Sequence, residues 1–227
     1  MAYYVILEGH NPGVYSYSYN WEKEIEGYKN PVFRTFDRET DALEYMTKGG
    51  EVQNVFVDGA MYRNFYSENA GFGVYYGPGD TRNTSSPASY NIQYAELAGL
   101  VHTLKNVNQE LMDGTAKRPV RILTDSEYSV PCFNQWCNKW RRNGWKTARG
   151  NTIGNVNLLQ EMVNLKDSIN SHYASKGWSN IKVVKVKGVN GNLAYKEADS
   201  LARLGASRDA PFDDYEAEFE SFCDDSS

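Results

Sequence analysis

From Tyr3 to Phe36, short runs of aromatic and β-branched residues alternate with turn residues. "YYVILEG" and "GVYSYSY" read as strands parted by the turn "NPG", "NWEKEIEGY" as a short helix capped by Asn20 and closing near Gly27, and "PVFRTF" as a third strand. Asp37 is placed to cap a last helix through Met46, after which "TKGG" reads as a short, flexible connector. From Asn54 the pattern changes. "NVFVDGAMY", "AGFGVYYG" and "ASYNIQ" read as three strands of an antiparallel meander. In "QYAELAGLVHTLKNV", Leu97, Leu100, Val101 and Leu104 recur at helical spacing and form one apolar stripe. Val120, Ile122 and Leu123 in "VRILT" then read as a strand buried on both faces. After it come a helix to about Cys137, an aromatic and basic loop, a long helix near 155–174, the strand "IKVVKVKG" and a last helix "YKEADSLARLGA". Three strands followed by alternating helices and strands predict an α/β domain, a mixed sheet with helices packed on it.

The change of pattern divides the chain into a module over 1–47, a linker over 48–53, a larger domain over 54–207 and a tail over 208–227. A module of some 45 residues builds only a marginal core, so its Tyr and Trp residues are expected to serve both packing and contact. Charge sharpens the division. The formal net charge is -5, yet residues 208–227 hold eight acids against one base, and residues 1–50 eight acids against five bases. Residues 52–207 are left with 18 bases and 12 acids, a mildly basic middle compatible with a phosphate backbone as partner. The tail reads as a solvated, disordered end, with a strand-mimicking or partner-binding motif as its functional alternative. No run approaches the roughly 20 apolar residues of a membrane span, and "MAYYVILEGH" lacks a signal peptide's basic start, so an intracellular protein without membrane contact is expected. Cys132, Cys137 and Cys223 are too few and too oddly spaced for a disulfide framework or a zinc knuckle, and read as free thiols.

Four acids fall beside core residues. Asp125 ends the strand "VRILT", at the carboxyl mouth where open α/β sheets bind ligands; a helix N-cap by Asp125 or Ser126 is the competing reading. Asp58 interrupts or ends the first strand of the larger domain, Glu96 lies in the first turn of the apolar-striped helix, and Asp199 sits among Ala198, Leu201 and Ala202. Unpaired charges rarely occupy such positions, because desolvation is expensive without a counter-charge. No neighbouring base answers all four, whereas a hard divalent cation takes carboxylate oxygens, and two ions held about 4 Å apart serve phosphoryl chemistry. The alternative is four separate caps and surface acids.

The blocks "VFVDGAMYRN", "IQYAEL", "LTDSEYS", "WCNKWRRNGWKT" and "KEADSLARLGA", in that order over residues 54–206, resemble the motif blocks of type 1 ribonucleases H. The first module, with "YYVILEGHNPGVY", Trp21 and "VFRTF", is similar to the small hybrid-binding domain of eukaryotic members, found also in caulimovirus viroplasmin proteins. The resemblance implies a ribonuclease H-like mixed five-stranded sheet flanked by helices, preceded by a small α+β hybrid-binding-like domain. It implies an endonuclease that cuts the RNA strand of RNA/DNA hybrids with two Mg2+ ions, Mn2+ being a substitute, and leaves 5′-phosphate and 3′-hydroxyl ends. Double-stranded RNA is a further candidate partner.

Position by position, the family's catalytic, metal-binding carboxylates fall on Asp58, Glu96, Asp125 and Asp199. Asn64 and Gln93 match residues that touch the minor groove, where 2′-hydroxyls tell RNA from DNA. Trp136, Trp140, Arg141, Arg142, Asn143, Trp145 and Lys146 match the basic protrusion that cradles the DNA strand. Its chemistry is legible without the family, since indoles support sugars and bases while arginines bind phosphate; one of the three tryptophans is expected in the core. In the module, Tyr4, Trp21, Phe33 and Arg34 match positions that contact hybrid.

The chain also departs from the pattern. Val189 stands where the family usually has a histidine that helps move protons or release product, so slow catalysis is expected rather than none. Ser89, Asn91 and Ile92 stand where the family often has Arg, Thr and Asn, Thr35 replaces a usual lysine, and "ILEG" replaces a basic stretch; weaker grip and looser duplex choice are the expected result. His10, His102 and His172 read as surface or packing residues. The rival from another class is a catalytically weak or inactive nucleic-acid-binding or interaction protein that keeps the fold; a transposase or integrase of the same broad fold is disfavoured by the basic protrusion and the final "EAD" helix.

Overall fold

The computed structural model describes residues 2–63, 68–88 and 91–208. Its N-terminal elements are β1 (Tyr3–Glu8), β2 (Gly13–Ser16), a 3-10 turn (Trp21–Glu24), β3 (Val32–Phe36) and α1 (Glu39–Lys48). The chain continues through β4 (Gln53–Arg63), β5 (Glu68–Tyr75), β6 (Thr84–Ala88), α2 (Ile92–Met112), β7 (Val120–Thr124) and α3 (Ser129–Pro131). A π-helical turn (Cys132–Trp136), α4 (Cys137–Arg142), α5 (Val156–Ser175), β8 (Lys182–Lys185) and α6 (Leu193–Ala206) complete the order. The small sheet runs β2-β1-β3 and the large one β6-β5-β4-β7-β8. In the large sheet β4, β5 and β6 pair antiparallel, whereas β4–β7 and β7–β8 pair parallel, which is the mixed five-stranded sheet expected of the domain.

Strand alternation sorts the cores. Val55 and Val57 of β4 point to one face, where they meet Leu97, Leu100 and Leu104 of the α2 stripe and Leu159, Met162 and Val163 of α5. Phe56 points to the other, against Leu123 of β7 and Tyr195 and Ala198 of α6. That second core also contains Val5, Val14, Ala42, Leu43 and Met46 from the N-terminal module. A module too small to bury enough apolar surface by itself thus completes its core on the large sheet.

Polar contacts fix this docking. Arg121 of β7 donates to Leu7 O at 2.8 Å and Asn54 Oδ1 at 2.8 Å, and pairs with Glu8 at 2.7 Å. Asn54 Nδ2 donates to Met46 O at 2.8 Å, and the Arg118 guanidinium donates to Gly50 O at 2.9 Å and to Lys48 O. The stretch read as a flexible connector is therefore held, because carbonyls left free at the end of α1 find donors on the larger domain.

Local capping differs from expectation. Asn20 makes no side-chain cap, and the segment after it forms a single 3-10 turn rather than a helix. Helix α1 starts after Arg38, which holds the extended cap position and pairs with Asp41 at 2.6 Å, so Asp37 does not serve as the cap. The loop expected after Cys137 begins only after Arg142, and the residues between are helical. Cys137 N–H donates to Cys132 O five residues back, and the wide turn passes directly into α4. Cys132 and Cys137 are buried free thiols; Cys223, like the acidic tail from residue 209 and Asn64 and Ser89, lies outside the described residues.

Helix α6 lies unusually close to β5. A Cβ at Gly73 would stand 2.2 Å from Ala198 O, and one at Gly71 would stand 2.1 Å from Ala206 N. The alanine face of α6 (Ala198, Ala202, Ala206) is fully buried there, so backbone meets backbone. Among the described residues no helix is long and apolar enough to cross a membrane.

Candidate active site

The β4–β7 register pairs Phe56 with Leu123. Carried two residues on, it sets Asp58 of β4 opposite Asp125, the first residue past the end of β7, and neighbouring strands lie about 4.8 Å apart. Strand parity gives both aspartates the α6 face. Gly73, the β5 partner of Asp58, leaves the room through which α6 approaches with Tyr195 and Asp199. Glu96 comes from the opposite face, in the second turn of α2 rather than the first. It reaches the strand because residue 59 is glycine: a Cβ there would be 2.8 Å from Glu96 Cγ.

The four acids influence one another. Asp58 is buried, and its pKa is pushed up to about 7, chiefly by loss of water, with Asp125 and Asp199 adding repulsion and the Tyr195 hydrogen bond opposing. Burial likewise raises Glu96, with Ser126 opposing and Asp125 adding to it. Each carboxylate has a neighbour. Ser126 Oγ donates to Glu96 Oε2 at 2.6 Å while accepting from Ser129 N at 2.9 Å; the cap position of the helix that follows is Tyr128, so neither Asp125 nor Ser126 holds it. Arg203 Nε donates to both oxygens of Asp199 at 2.9 Å. The Tyr195 hydroxyl lies 2.6 Å from Asp58 Oδ1 and 2.6 Å from Asp125 Oδ1. A phenol has one proton, so between two ionised carboxylates it donates to one oxygen at a time.

As they stand, no three acids among the described residues surround one point. Their chemistry nevertheless fits a hard divalent cation. Among the described residues the one ion pair made to this group is Arg203–Asp199; Arg203 also acts on Asp58 through its charge, so a single guanidinium faces four acids. Tyr195 is the participant that sequence reading passed over. The available signal was a tyrosine four residues before Asp199, on a helix face otherwise made of alanines.

The turn into α6 closes the other side of the aspartates. Gly188, with φ +69°, would place a Cβ 2.6 Å from Asp125 Oδ2, and Val189 beside it is 43% exposed. The N-terminal module holds this turn from behind. Lys187 N donates to Asn11 Oδ1 at 2.9 Å, Lys187 Nζ pairs with the buried Glu24 at 3.0 Å, and a Cβ at Gly191 would strike the Tyr19 ring.

Of the expected substrate contacts, Gln93 is exposed at the start of α2, where Asn91 Oδ1 caps its N–H at 2.8 Å. In the basic segment, Trp140 and Trp145 pack on the core while Trp136 is 40% exposed, its ring 5.7 Å from that of Trp140. Arg141, Arg142, Asn143 and Lys146 are exposed, and so are Lys139 and Arg149, which sequence reading left out. Arg141 pairs with Asp167 at 2.6 Å, and Asn143 Nδ2 donates to Lys146 O at 2.9 Å. In the module Tyr4 stacks on Trp21 at 4.3 Å and Trp21 meets Phe33 at 5.3 Å. Arg34 has the opposite strand parity and lies over the Tyr45 ring, so the structure does not gather it with those three.

Residues 50–207 match a family model described as RNase H, and residues 2–46 one described as ribonuclease H1 N-terminal domain. A Ribonuclease H of Schizosaccharomyces pombe is 30% identical over 196 residues, covering 85% of this chain and 63% of its own. Ribonuclease H1 of Rattus norvegicus is 29% identical over 171 residues, covering 74% of this chain and 54% of its own. The chain therefore spans less than two thirds of the length of these curated relatives. A crystal structure of prototype foamy virus protease-reverse transcriptase is similar in fold, with a TM-score of 0.50 at 23% identity over 68% of this chain and 21% of that one.

Proposed function

Since this chain belongs to the ribonuclease H family, we propose that it is an endonuclease hydrolysing the RNA strand of RNA/DNA hybrids, giving 5′-phosphate and 3′-hydroxyl ends. Divalent-metal dependence is general in the family. In this reading Asp58, Glu96, Asp125 and Asp199 hold two Mg2+ ions, and Mn2+ substitutes. What the bound metal supplies is a water made nucleophilic near neutral pH and neutralisation of charge on the leaving 3′ oxygen.

The observation that carries this reading is the pairing of Asp58 with Asp125 through one hydroxyl, with Asp58 buried and neither acid in an ion pair among the described residues. Two acids set face to face are costly in a folded core, and a polyanionic substrate would add to that cost unless a cation bound between them. The remaining residues serve binding. Exposed Arg142, Lys146 and Trp136 take the phosphates and sugars of the DNA strand, and Gln93, with Asn64, reads the minor groove. Tyr4 stacked on Trp21, with Phe33 tilted against the indole, offers the module as a second contact for hybrid or for double-stranded RNA.

One observation favours a second reading, a catalytically weak or inactive binder: Val189, which follows the Gly188 that abuts Asp125, offers no titratable group for proton transfer. Incubation with an end-labelled RNA/DNA hybrid and Mg2+, beside an Asp125→Asn control, separates the two. Cleavage by the parent and none by the control is expected. Retention of hybrid without any cleavage by the parent selects the binder, and cleavage surviving in the control refutes the site.

A further inference from the structure

Tyr195 is fully buried in the core shared by the N-terminal module and the large sheet, and its hydroxyl emerges between Asp58 and Asp125. The Asp125 backbone N–H donates to the same oxygen at 3.3 Å. We propose that Tyr195 is a positioning residue for metal binding, its hydroxyl bracing one oxygen of each aspartate so that an ion meets two carboxylates already oriented. The inference rests on the metal-site reading above and adds to it a residue of this chain.

Three features support it. One hydroxyl lies 2.6 Å from an Oδ1 of each aspartate, so a single side chain contacts both carboxyl groups and restricts their rotation. The ring is held by packing among Phe56, Leu123, Ala194 and Ala198 rather than by a flexible stem, so little ordering is left to be done when the ion binds. The helix that carries it is anchored as well. Asn192 Oδ1 accepts from Tyr195 N at 3.4 Å and from Val14 N at 3.2 Å, and its Nδ2 donates to Pro12 O at 3.1 Å. A hydroxyl needed for stability alone would be satisfied by one backbone acceptor; this one engages two acids of the proposed ligand set.

Outer partners of metal ligands typically contribute about 10- to 100-fold in affinity, which sets the expected effect. Mg2+ is titrated into 15N-labelled parent and Tyr195→Phe proteins, and Kd is read from the amide shifts of Asp58 and Asp125. A folded Tyr195→Phe protein binding Mg2+ about 10- to 100-fold more weakly, with cleavage recovering at saturating Mg2+, is the expected result. Equal affinity in a folded variant overturns the positioning role while leaving the metal site standing. Absence of any Mg2+ response in the parent overturns the metal site itself. Should the phenylalanine variant not fold, the parent labelled with 13Cζ-tyrosine gives the same decision: one exchange-protected tyrosine signal moves along the Mg2+ binding curve, and a set of tyrosine signals indifferent to Mg2+ rejects the proposal.

Discussion

Val14 donates its backbone N–H to Oδ1 of Asn192 at 3.2 Å, joining the second strand of the N-terminal module to the cap of α6 across 178 residues of sequence. Asn192 is fully buried, and its amide also donates to Pro12 O, so one side chain serves the helix cap and the module together. Asn192→Ala is expected to destabilise the protein by about 2–4 kcal/mol, since a cap is lost and a buried donor and acceptor are orphaned. Urea denaturation measures this; a change below about 0.5 kcal/mol would mean the module does not bear on α6.

Gly73→Ala should cost about 1–3 kcal/mol, as overpacking does, because the new methyl meets the backbone of α6 rather than the end of a movable side chain. Its effect on cleavage should exceed its effect on hybrid affinity, since α6 carries Asp199 and Tyr195. Unfolding curves together with separate kcat and Kd measurements decide the matter.

Asp58 gives the metal-free protein a pH dependence of definite sign. Its pKa rises from 3.8 unfolded to about 7 folded, so between those values the folded state holds more protons and stability falls as pH increases. Up to about 4 kcal/mol is lost from Asp58 between pH 4 and pH 8, and Asp58→Asn should flatten the slope. Thermal unfolding in EDTA from pH 5.5 to 8 tests it; a parent and variant with parallel profiles would refute the assignment.

Val189→His should raise turnover. The residue follows Gly188, which abuts Asp125, and is 43% exposed, so an imidazole there is open to water within one residue of the site. Help from a general acid or base is typically worth about 10² to 10⁴ in rate, and a gain of at least tenfold in kcat is expected. An unchanged kcat on an RNA/DNA hybrid would show that proton transfer does not limit this protein.

The α2 stripe, the strand leading to Asp125 and the strand character of β4 were legible because periodicity and residue type are properties of a local segment. Where a local rule met a competing contact, it failed: Arg38 displaced Asp37 as the start of α1, and a five-residue turn carried the helix past Cys137 where the sequence suggested a loop. The size of the module hinted at its weakness, yet not at where its missing core would be found.

By itself the sequence determined which acids stand at strand ends or on helices beside apolar residues, and the ordered blocks that relate the chain to its family. Only the folded chain decided that β4 and β7 pair in the register opposing Asp58 to Asp125, that Tyr195 fills the gap between them, and that the first 48 residues help to hold α6. Pattern fixes which face a side chain takes along its own element. Which partner that face meets is settled by packing between segments as much as 178 residues apart, where shape and buried hydrogen bonds, not local propensity, select the arrangement.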